Sequence, residues 1–399
     1  MIHAFRDDPN VNHAFIIDHA LRGGSADETE QAAEIAKSFG YKVRTDRWAH
    51  DGISSGIQAK ARDYRYGALG RLCRAAGLTR LMTAHTADDQ AETLLMRLDR
   101  QSGWRGMAGM PEQVYAPLWP ALAGVTLHRP WLNKSRAELR EYNRKNGLSF
   151  IDDPSNENRD FARIRARQAL AADPRLRADL LSQQRKTRQR LMHERQLYGA
   201  WLVAHAVIDS HGFIVTDAVP PLDLLLHILN VASGRGGPID STKLARLSRD
   251  MMSADFRATT LGGAWVVRQS QGTLNSKGQN FMFLRDRVAV TGRSNVQPLK
   301  ILRLKMGAVL LWDGRFFCRA KVTGLRVEMG FGNLQKLRQY AEFKSLFDLP
   351  KSVRESLPIF FLGEKPVGFG ACDTEYIHSI AASASRLQDR YVGKDNVSN

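Results

Sequence analysis

The chain has 399 residues, more than one hydrophobic core usually supports (~250–300), so two or three domains are expected. Hydrophobic residues at 43% and charged residues at 25% exclude a disordered or fibrous chain, and no apolar run approaches the ~20 residues of a membrane span. Lys and Arg number 58 against 41 Asp and Glu, a net charge of +17 that points to a polyanionic partner, nucleic acid above all.

The opening residues, Met1 to Pro9, contain no secretory-type apolar core. Cys73, Cys318 and Cys372 are too far apart in sequence for a disulfide framework or a thiolate metal cluster, and a reduced cytoplasm is expected. Up to residue 150, strand and helix patterns alternate. His13–Ile17 predicts a strand, Glu28–Phe39 a helix stopped by Gly40, and Tyr41–Thr45 a second strand. Gly56–Ala76 predicts a long helix ended by Gly77, Leu78–Ala84 a third strand, and Asp88–Asp99 a helix. This order implies an α/β fold with a doubly wound parallel sheet, in which ligands bind beyond the carboxyl ends of the strands. Asp18-His19 and His85-Thr86 stand at two such ends.

A second region starts near Pro174. From Ser155 to Leu197 there are eleven Lys/Arg against five Asp/Glu, on a long helical pattern. Pro220–Asp255 reads as two helices broken at 233–238, with Ser241 as an N-cap. After Thr259 short β-like runs follow (264–268, 281–284, 309–312, 316–322), and 334–371 pairs a basic helix with a hairpin-like stretch. The expected division is 1–172 as catalytic domain, 173–295 as a mainly helical middle domain and 296–399 as a small α+β domain. The tail after Arg390 is expected to be loose.

Three constellations carry chemistry. Ala84-His85-Thr86-Ala87-Asp88-Asp89-Gln90-Ala91-Glu92-Thr93 stands where a strand hands over to a helix. Its pairs Asp88/Glu92 and His85/Asp89 are each four apart and so can share a helical face. Carboxylates in a first helical turn also serve as plain cap and dipole partners. Three of them with a His exceed what a cap requires, and suit binding of an ammonium group, of Mg²⁺, or of both. The second constellation is Asp18-His19-Ala20-Leu21-Arg22 with Ser25 and Glu28, whose plain reading is a turn and a capping box. The third, Gln58 to Tyr66, sets Arg62 and Arg65 on one helical face, which alone reads as a solvated basic surface.

In this order the three resemble one family, the tRNA(Ile)-lysidine synthases of the N-type ATP pyrophosphatase superfamily. Ile17–Arg22 matches that family's His-x-Asp-His-Gly-Leu-Arg strand end, Ala61–Tyr66 its Ala-Arg-x-x-Arg-Tyr helix, and Ala84–Thr93 its Ala-His-x-x-Asp-Asp-Gln-x-Glu-Thr motif in full. The likeness runs on through Arg100–Gly103, Gly106–Met110, Arg129-Pro130-Trp131-Leu132, Asp153–Asn156 and Phe161–Arg167. It is weaker at Trp312–Arg315 and Leu349–Pro358. Gln101 replaces a residue that is usually Gly in the family and is expected to alter a turn.

The resemblance implies a two-step ligation on an isoleucine tRNA with a CAU anticodon. ATP adenylates the C2 oxygen of the wobble cytidine with release of pyrophosphate, and the lysine ε-amine then displaces AMP to give lysidine. His85, Asp89 and Glu92 are the implied lysine-binding and catalytic residues, with Asp88 on Mg²⁺. Asp18, His19, Arg22, Arg62 and Ala84 are the implied nucleotide contacts. Arg65, Arg163, Arg165, Arg167 and Arg315 are the implied tRNA contacts, and the chain is a monomer or homodimer. Rival readings are a tRNA thiolase, disfavoured by the lack of Cys-x-x-Cys, and a metal-dependent hydrolase on His85, Asp88 and Asp89.

The family pattern also starts with a strand, a Ser-Gly-Gly-x-Asp-Ser loop that cradles ATP phosphates, and a helix. Here twelve residues precede His13, none of them Gly or Ser. The first strand of the expected sheet is thus missing from the sequence, which leaves its central neighbours short of ladder partners. The expectation is a start upstream of Met1, because the other motifs are intact. The alternative is a truncated, inactive tRNA-binding remnant.

Overall fold

A computed structural model describes residues 1, 3–21, 23–50, 56–148, 162–269, 280–292 and 299–391. Arg22, the Asp153–Asn156 motif and the tail after residue 391 lie outside them. The chain divides into two units, one of Met1–Pro117 with Gly124–Glu194, the other of Leu118–Ala123 with Arg195–Asn399.

In the first unit, strand β1 (His13–Asp18), helix α1 (Ser25–Ser38) and strand β2 (Lys42–Arg47) form a β-α-β step, and β1 pairs parallel with β2, Asp18 opposite Arg47. Helix α2 (Ile57–Ala75) leads to β3 (Arg80–Met82) and helix α3 (Ala87–Asp99). Strands β4 (Gln113–Tyr115) and β5 (Thr126–His128) complete a second sheet, order β3-β5-β4, with β3 parallel and β4 antiparallel to β5. Helices α4 (Arg136–Lys145), α5 (Ala162–Ala172) and α6 (Pro174–His205) follow. The parallel, helix-alternating pattern is as the sequence predicts. Among the described residues, however, β1–β2 and β3–β5–β4 are separate sheets, because no ladder joins β1 to β3. The expected capping box at Ser25 is not formed. Gly24, at φ 84°, is the N-cap and Ser25 the first helical residue.

Helix α3 buries Ala91 and Leu94 against Met107 and, from α5 and α6, Leu170 and Leu180. Its C-terminus departs from the expectation for Gln101. The Gln101 N–H donates to the Leu98 carbonyl and the Ser102 N–H to the Arg97 carbonyl, both at 2.9 Å, with Gln101 at φ 51°. This is a Schellman closure, which glycine usually provides. The turn is therefore kept, and the side chain bears the left-handed strain.

The second unit begins with β6 (Ala206–Ile208) and β7 (Ile214–Thr216), then α7 (Leu222–Ala232), α8 (Ser241–Met252), β8 (Ala258–Leu261), β9 (Ala264–Gln269) and β10 (Asn280–Arg285). Besides its helices, the stretch expected to be mainly helical holds a five-stranded antiparallel sheet, order β6-β7-β10-β9-β8, over a core of α7 and α8 side chains such as Leu224, Ile228, Leu247 and Met251. Three-residue strands such as β6 and β7 are too short to show a period in sequence. Asp240, not Ser241, caps α8.

After α9 (Arg287–Thr291) come β11 (Leu302–Arg303), β12 (Val309–Trp312), β13 (Phe316–Ala320), β14 (Leu325–Met329) and three short helices, α10 (Leu334–Leu337), α11 (Lys344–Asp348) and α12 (Lys351–Ser356). Strands β15 (Pro358–Leu362), β16 (Lys365–Phe369), β17 (Cys372–Asp373) and β18 (Ile377–Ala381), then α13 (Ser383–Tyr391), complete two four-stranded sheets, β11-β14-β15-β16 and β12-β13-β18-β17. Their shared core includes Trp312, Phe316, Phe343 and Phe360.

Replacing Gln101 by Gly removes about 1–2 kcal/mol of left-handed strain and adds about 0.4–1 kcal/mol of unfolded-chain entropy. Gln101→Gly is therefore expected to raise the unfolding free energy by a net of about 0.5–1 kcal/mol, read as a higher denaturant midpoint. A lower midpoint would show that the Gln101 side chain contributes something else.

Candidate functional site

The handover from β3 to α3 is built by one reciprocal cap. The Asp89 N–H donates to Thr86 Oγ1 at 3.3 Å, and Asp89 Oδ2 accepts from the Thr86 N–H and hydroxyl, both at 2.7 Å. The two carboxylate oxygens of Asp89 are used differently. Oδ2 closes the helix start, while Oδ1 accepts from Arg136 at 2.9 Å and Arg163 at 2.6 Å. Glu92, one turn on and 1% exposed, accepts from Arg136 and Arg167 on Oε1, both at 3.0 Å, and from Arg163 on Oε2 at 2.7 Å. The helix period thus aims Asp89 and Glu92 at one place, where three guanidiniums meet them.

Burial pushes the Asp89 carboxyl up, but the Thr86 hydrogen bonds and the Arg163 and Arg136 charges outweigh it and hold it below the usual carboxylate range. Burial lowers Arg136, and Glu92 and Asp89 more than restore it. His85 precedes the helix, so the four-residue face it was expected to share with Asp89 does not exist. Its Nδ1 lies 2.9 Å from Thr83 Oγ1. Burial, then Arg129, drive the imidazole down to about 4 against the opposing pull of Asp89. At neutral pH it is uncharged.

Several expected roles are corrected by geometry. Asp88 is not placed as a metal ligand, since its Oδ2 accepts from the Arg136 N–H at 2.7 Å and its Oδ1 pairs with Arg177 at 3.2 Å. Among the described residues no group of three or more His, Cys, Asp or Glu is arranged to hold a metal. The described residues thus do not by themselves gather a protein-held Mg²⁺ site. Arg163, Arg165 and Arg167 do not form one phosphate-facing row. On helix α5 residues four apart share a face, so Arg163 and Arg167 turn to Glu92 and Arg165 is exposed on another side. Arg315 is 7% exposed and is a strut of the second unit. Its Nε donates to Asp313 at 2.8 Å, its Nη2 donates to the Ser356 carbonyl, and Arg285 grips the same Asp313 bidentately at 3.0 Å. Asp313 and Gly314, both at positive φ, make the hairpin turn between β12 and β13. A Cβ on Gly314 would sit 1.9 Å from the Gly234 carbonyl oxygen, so the turn admits only glycine.

The expected nucleotide contacts are placed as follows. Asp18, buried at the end of β1, uses Oδ1 to accept from the Ala20 N–H at 2.8 Å and pairs with Arg47 at 3.4 Å, so its carboxylate holds the turn. His19 carries a buried Nδ1 without a partner, and burial, then Arg65, lower its pKa. Ala84 is exposed at the end of β3. Arg62 and Arg65 lie over the buried Tyr66 ring, at 4.9 and 5.1 Å from its centroid.

Sequence reading missed Arg136 and Arg177. Arg136 follows the N-cap Ser135 of α4, whose capping box with Glu138 was a usable helix-start signal, but nothing local tied it to α3. Gln90 was also missed as a support. It is 2% exposed and exchanges two hydrogen bonds with the Met110 backbone, and a Cβ on Gly109 would come within 2.6 Å of it.

Removing Glu92 leaves three partly exposed guanidiniums facing each other. Glu92→Gln is expected to cost about 1–3 kcal/mol of unfolding free energy, less than for a fully buried pair because the arginines reach solvent. Chemical denaturation measures it, and an unchanged midpoint would mean that the cluster holds nothing together.

Residues 2–173 match the model of the PP-loop domain family. A tRNA(Ile)-lysidine synthase of Hyphomonas neptunium is 35% identical over 263 residues, covering 64% of this chain and 71% of that protein. The corresponding protein of Bradyrhizobium sp. is 34% identical over 284 residues, 63% of this chain and 77% of its own. That of Caulobacter vibrioides is 30% identical over 346 residues, 87% of this chain and 76% of its own. With this agreement in sequence, and with the strand–cap–helix site above, the chain belongs to the tRNA(Ile)-lysidine synthase family of PP-loop, ATP-dependent ligases.

Proposed function

We propose that the chain ligates L-lysine to C2 of the wobble cytidine of an isoleucine tRNA with a CAU anticodon, through an adenylated intermediate formed from ATP. The observation that carries this reading is the convergence of Asp89 Oδ1 and both Glu92 oxygens on cationic nitrogen. A pair of carboxylates that draws three guanidiniums is equally suited to a substrate ammonium, and a lysine substrate brings one. The guanidiniums of Arg163 and Arg136 stand where that ammonium would compete.

In the first step the cytidine C2 oxygen attacks the α-phosphorus of ATP and pyrophosphate leaves. In the second, the ε-amine forms the bond to C2, the bond from C2 to the adenylate oxygen breaks, and AMP departs. The amine must lose a proton before it attacks. His85 is suited to accept or relay that proton because it is uncharged, with one ring nitrogen fixed by Thr83. His19 and Ala84, at the carboxyl ends of β1 and β3, are proposed to face the nucleotide. Arg165 and the arginine-rich start of α6 are proposed to meet tRNA phosphates, and residues 296–399 to recognise the body of the tRNA. No step is assigned to Mg²⁺, which the residues described do not fit.

The test is to incubate the full chain with ATP, radiolabelled lysine and a CAU-anticodon isoleucine tRNA transcript. Label on the tRNA, with equal pyrophosphate, is the expected outcome. Salt-sensitive tRNA binding with neither product would instead support the non-catalytic reading. A second expectation follows from His85. At subsaturating lysine the transfer rate falls about tenfold per unit from pH 8 to pH 5, as the free amine is depleted. A steeper fall setting in near pH 6.5 would mean that His85 titrates at its ordinary value.

A further inference from the structure

The connection between β4 and β5 does not stay with its strands. Residues Leu118–Ala123 belong to the second unit, while the strands at either end of them belong to the first. The Ala116 N–H closes the hairpin on the Val125 carbonyl at 2.9 Å, just before the segment leaves it. Within the segment the Leu122 N–H donates to the Leu118 carbonyl at 3.0 Å and the Ala123 N–H to the Pro120 carbonyl at 3.1 Å. Leu122 and Ala123 are fully buried.

Trp119 anchors this segment, and its seat is made of two sequence features that the proposed function leaves unused. One is the Ser-Gly-Arg-Gly-Gly-Pro break at 233–238 between α7 and α8, and the other is the Asp313-Gly314-Arg315 turn between β12 and β13. The single indole N–H of Trp119 donates to the Gly234 carbonyl at 3.1 Å and to the Gly314 carbonyl at 3.0 Å. Arg386 of α13 lies over the indole, 4.2 Å from the ring centroid, and donates to the Asn230 carbonyl at 3.0 Å and to the Arg235 carbonyl. Phe317 of β13 meets the indole edge-on at 6.1 Å. A Cβ on Gly236 would stand 2.7 Å from the Trp119 carbonyl oxygen, so the break must be glycine where the segment passes it. The Gly314 turn is in turn fixed by the buried pairing of Asp313 with Arg285 and Arg315.

A hydrogen-bonded path leads from this segment to the strand end that carries His85. Two residues after Ala123 the chain enters β5 (Thr126–His128), the middle strand of the order β3-β5-β4. The Thr126 N–H donates to the Thr79 carbonyl at 2.8 Å, and the His128 carbonyl accepts from the Thr83 N–H at 2.9 Å. Thr83 Oγ1 then lies 2.9 Å from His85 Nδ1. A strand of three residues has little length over which to absorb a displacement of its start. A shift of about 1 Å at a reacting group can cost about 10²-fold in rate.

We infer that Trp119 is a positioning residue. By fastening the β4–β5 connection within the second unit it sets β5 and, through the His128 and Thr83 hydrogen bonds, the ring of His85. The inference rests on the proposed function only for the reaction in which His85 takes part.

The test compares the full chain with Trp119→Phe, which keeps a ring beneath Arg386 and removes the N–H. Amide hydrogen exchange reads the path without any substrate. Exchange at Thr83 and Thr126 is expected to quicken by about fivefold or more, while exchange in β1 and β2 stays within about twofold of wild type. At saturating ATP, lysine and tRNA the transfer rate is expected to fall by about fivefold or more, with the Kd for tRNA within about twofold. A brace with no positioning role would lower the melting temperature and leave the transfer rate of the folded variant unchanged. Unchanged exchange at Thr83 and Thr126 overturns the inference, and so does a wild-type transfer rate or a loss confined to tRNA affinity. If Trp119→Phe does not fold, Arg386→Gln takes its place, with about a threefold effect expected on exchange and on transfer. If the wild-type chain transfers no lysine, the proposed function falls and the exchange result alone decides the role of Trp119.

Discussion

Glu92 is the carboxylate on which the arrangement of the first unit depends. It is almost wholly buried in a chain carrying 58 basic and 41 acidic residues, and guanidiniums from α4 and α5 are drawn to it. A lone buried carboxylate would be costly, and it is retained because Arg136, Arg163 and Arg167 satisfy it. Asp89 shares two of those partners and at the same time caps α3, so the helix start, the seating of α5 and the charge of the site are set together. On the proposed function, a substrate ammonium entering here would compete with a guanidinium of equal charge.

The two sides of His85 are electrostatically unlike. On one side carboxylates hold arginines; on the other, arginines crowd Tyr66 with neutral acceptors around them. The strand ends of β3 and β5, paired at Met82 and His128, set these two groups of side chains near one edge.

Much of this was legible because the signals were local. Thr86, Asp89 and Glu92 lie in one strand-to-helix handover, where cap chemistry and helix period fix the direction of each side chain. The α/β alternation of the first unit was legible for the same reason. What was not legible depended on tertiary pairing. Arg136 is more than forty residues from the acids it clamps, and Arg163 more than seventy. Arg163, Arg165 and Arg167 looked like one basic row only while the helix turn between them was ignored. Arg315 looked like a tRNA contact because a sequence cannot show that Asp313 and Ser356 enclose it. At Gln101 the substitution suggested a changed turn, yet the two capping hydrogen bonds hold the backbone in a conformation that its side chain disfavours.

Asp89 and Glu92 are proposed to hold the ammonium of lysine, and equilibrium binding of lysine probes this pair without turnover. Lysine is titrated into the full chain with tRNA and a non-hydrolysable ATP analogue, for wild type and for Asp89→Asn. Lysine is expected to bind wild type, and to bind the variant about tenfold or more weakly. Equal lysine affinity in the two proteins would contradict it, and would leave the acidic pair as a brace between α3, α4 and α5.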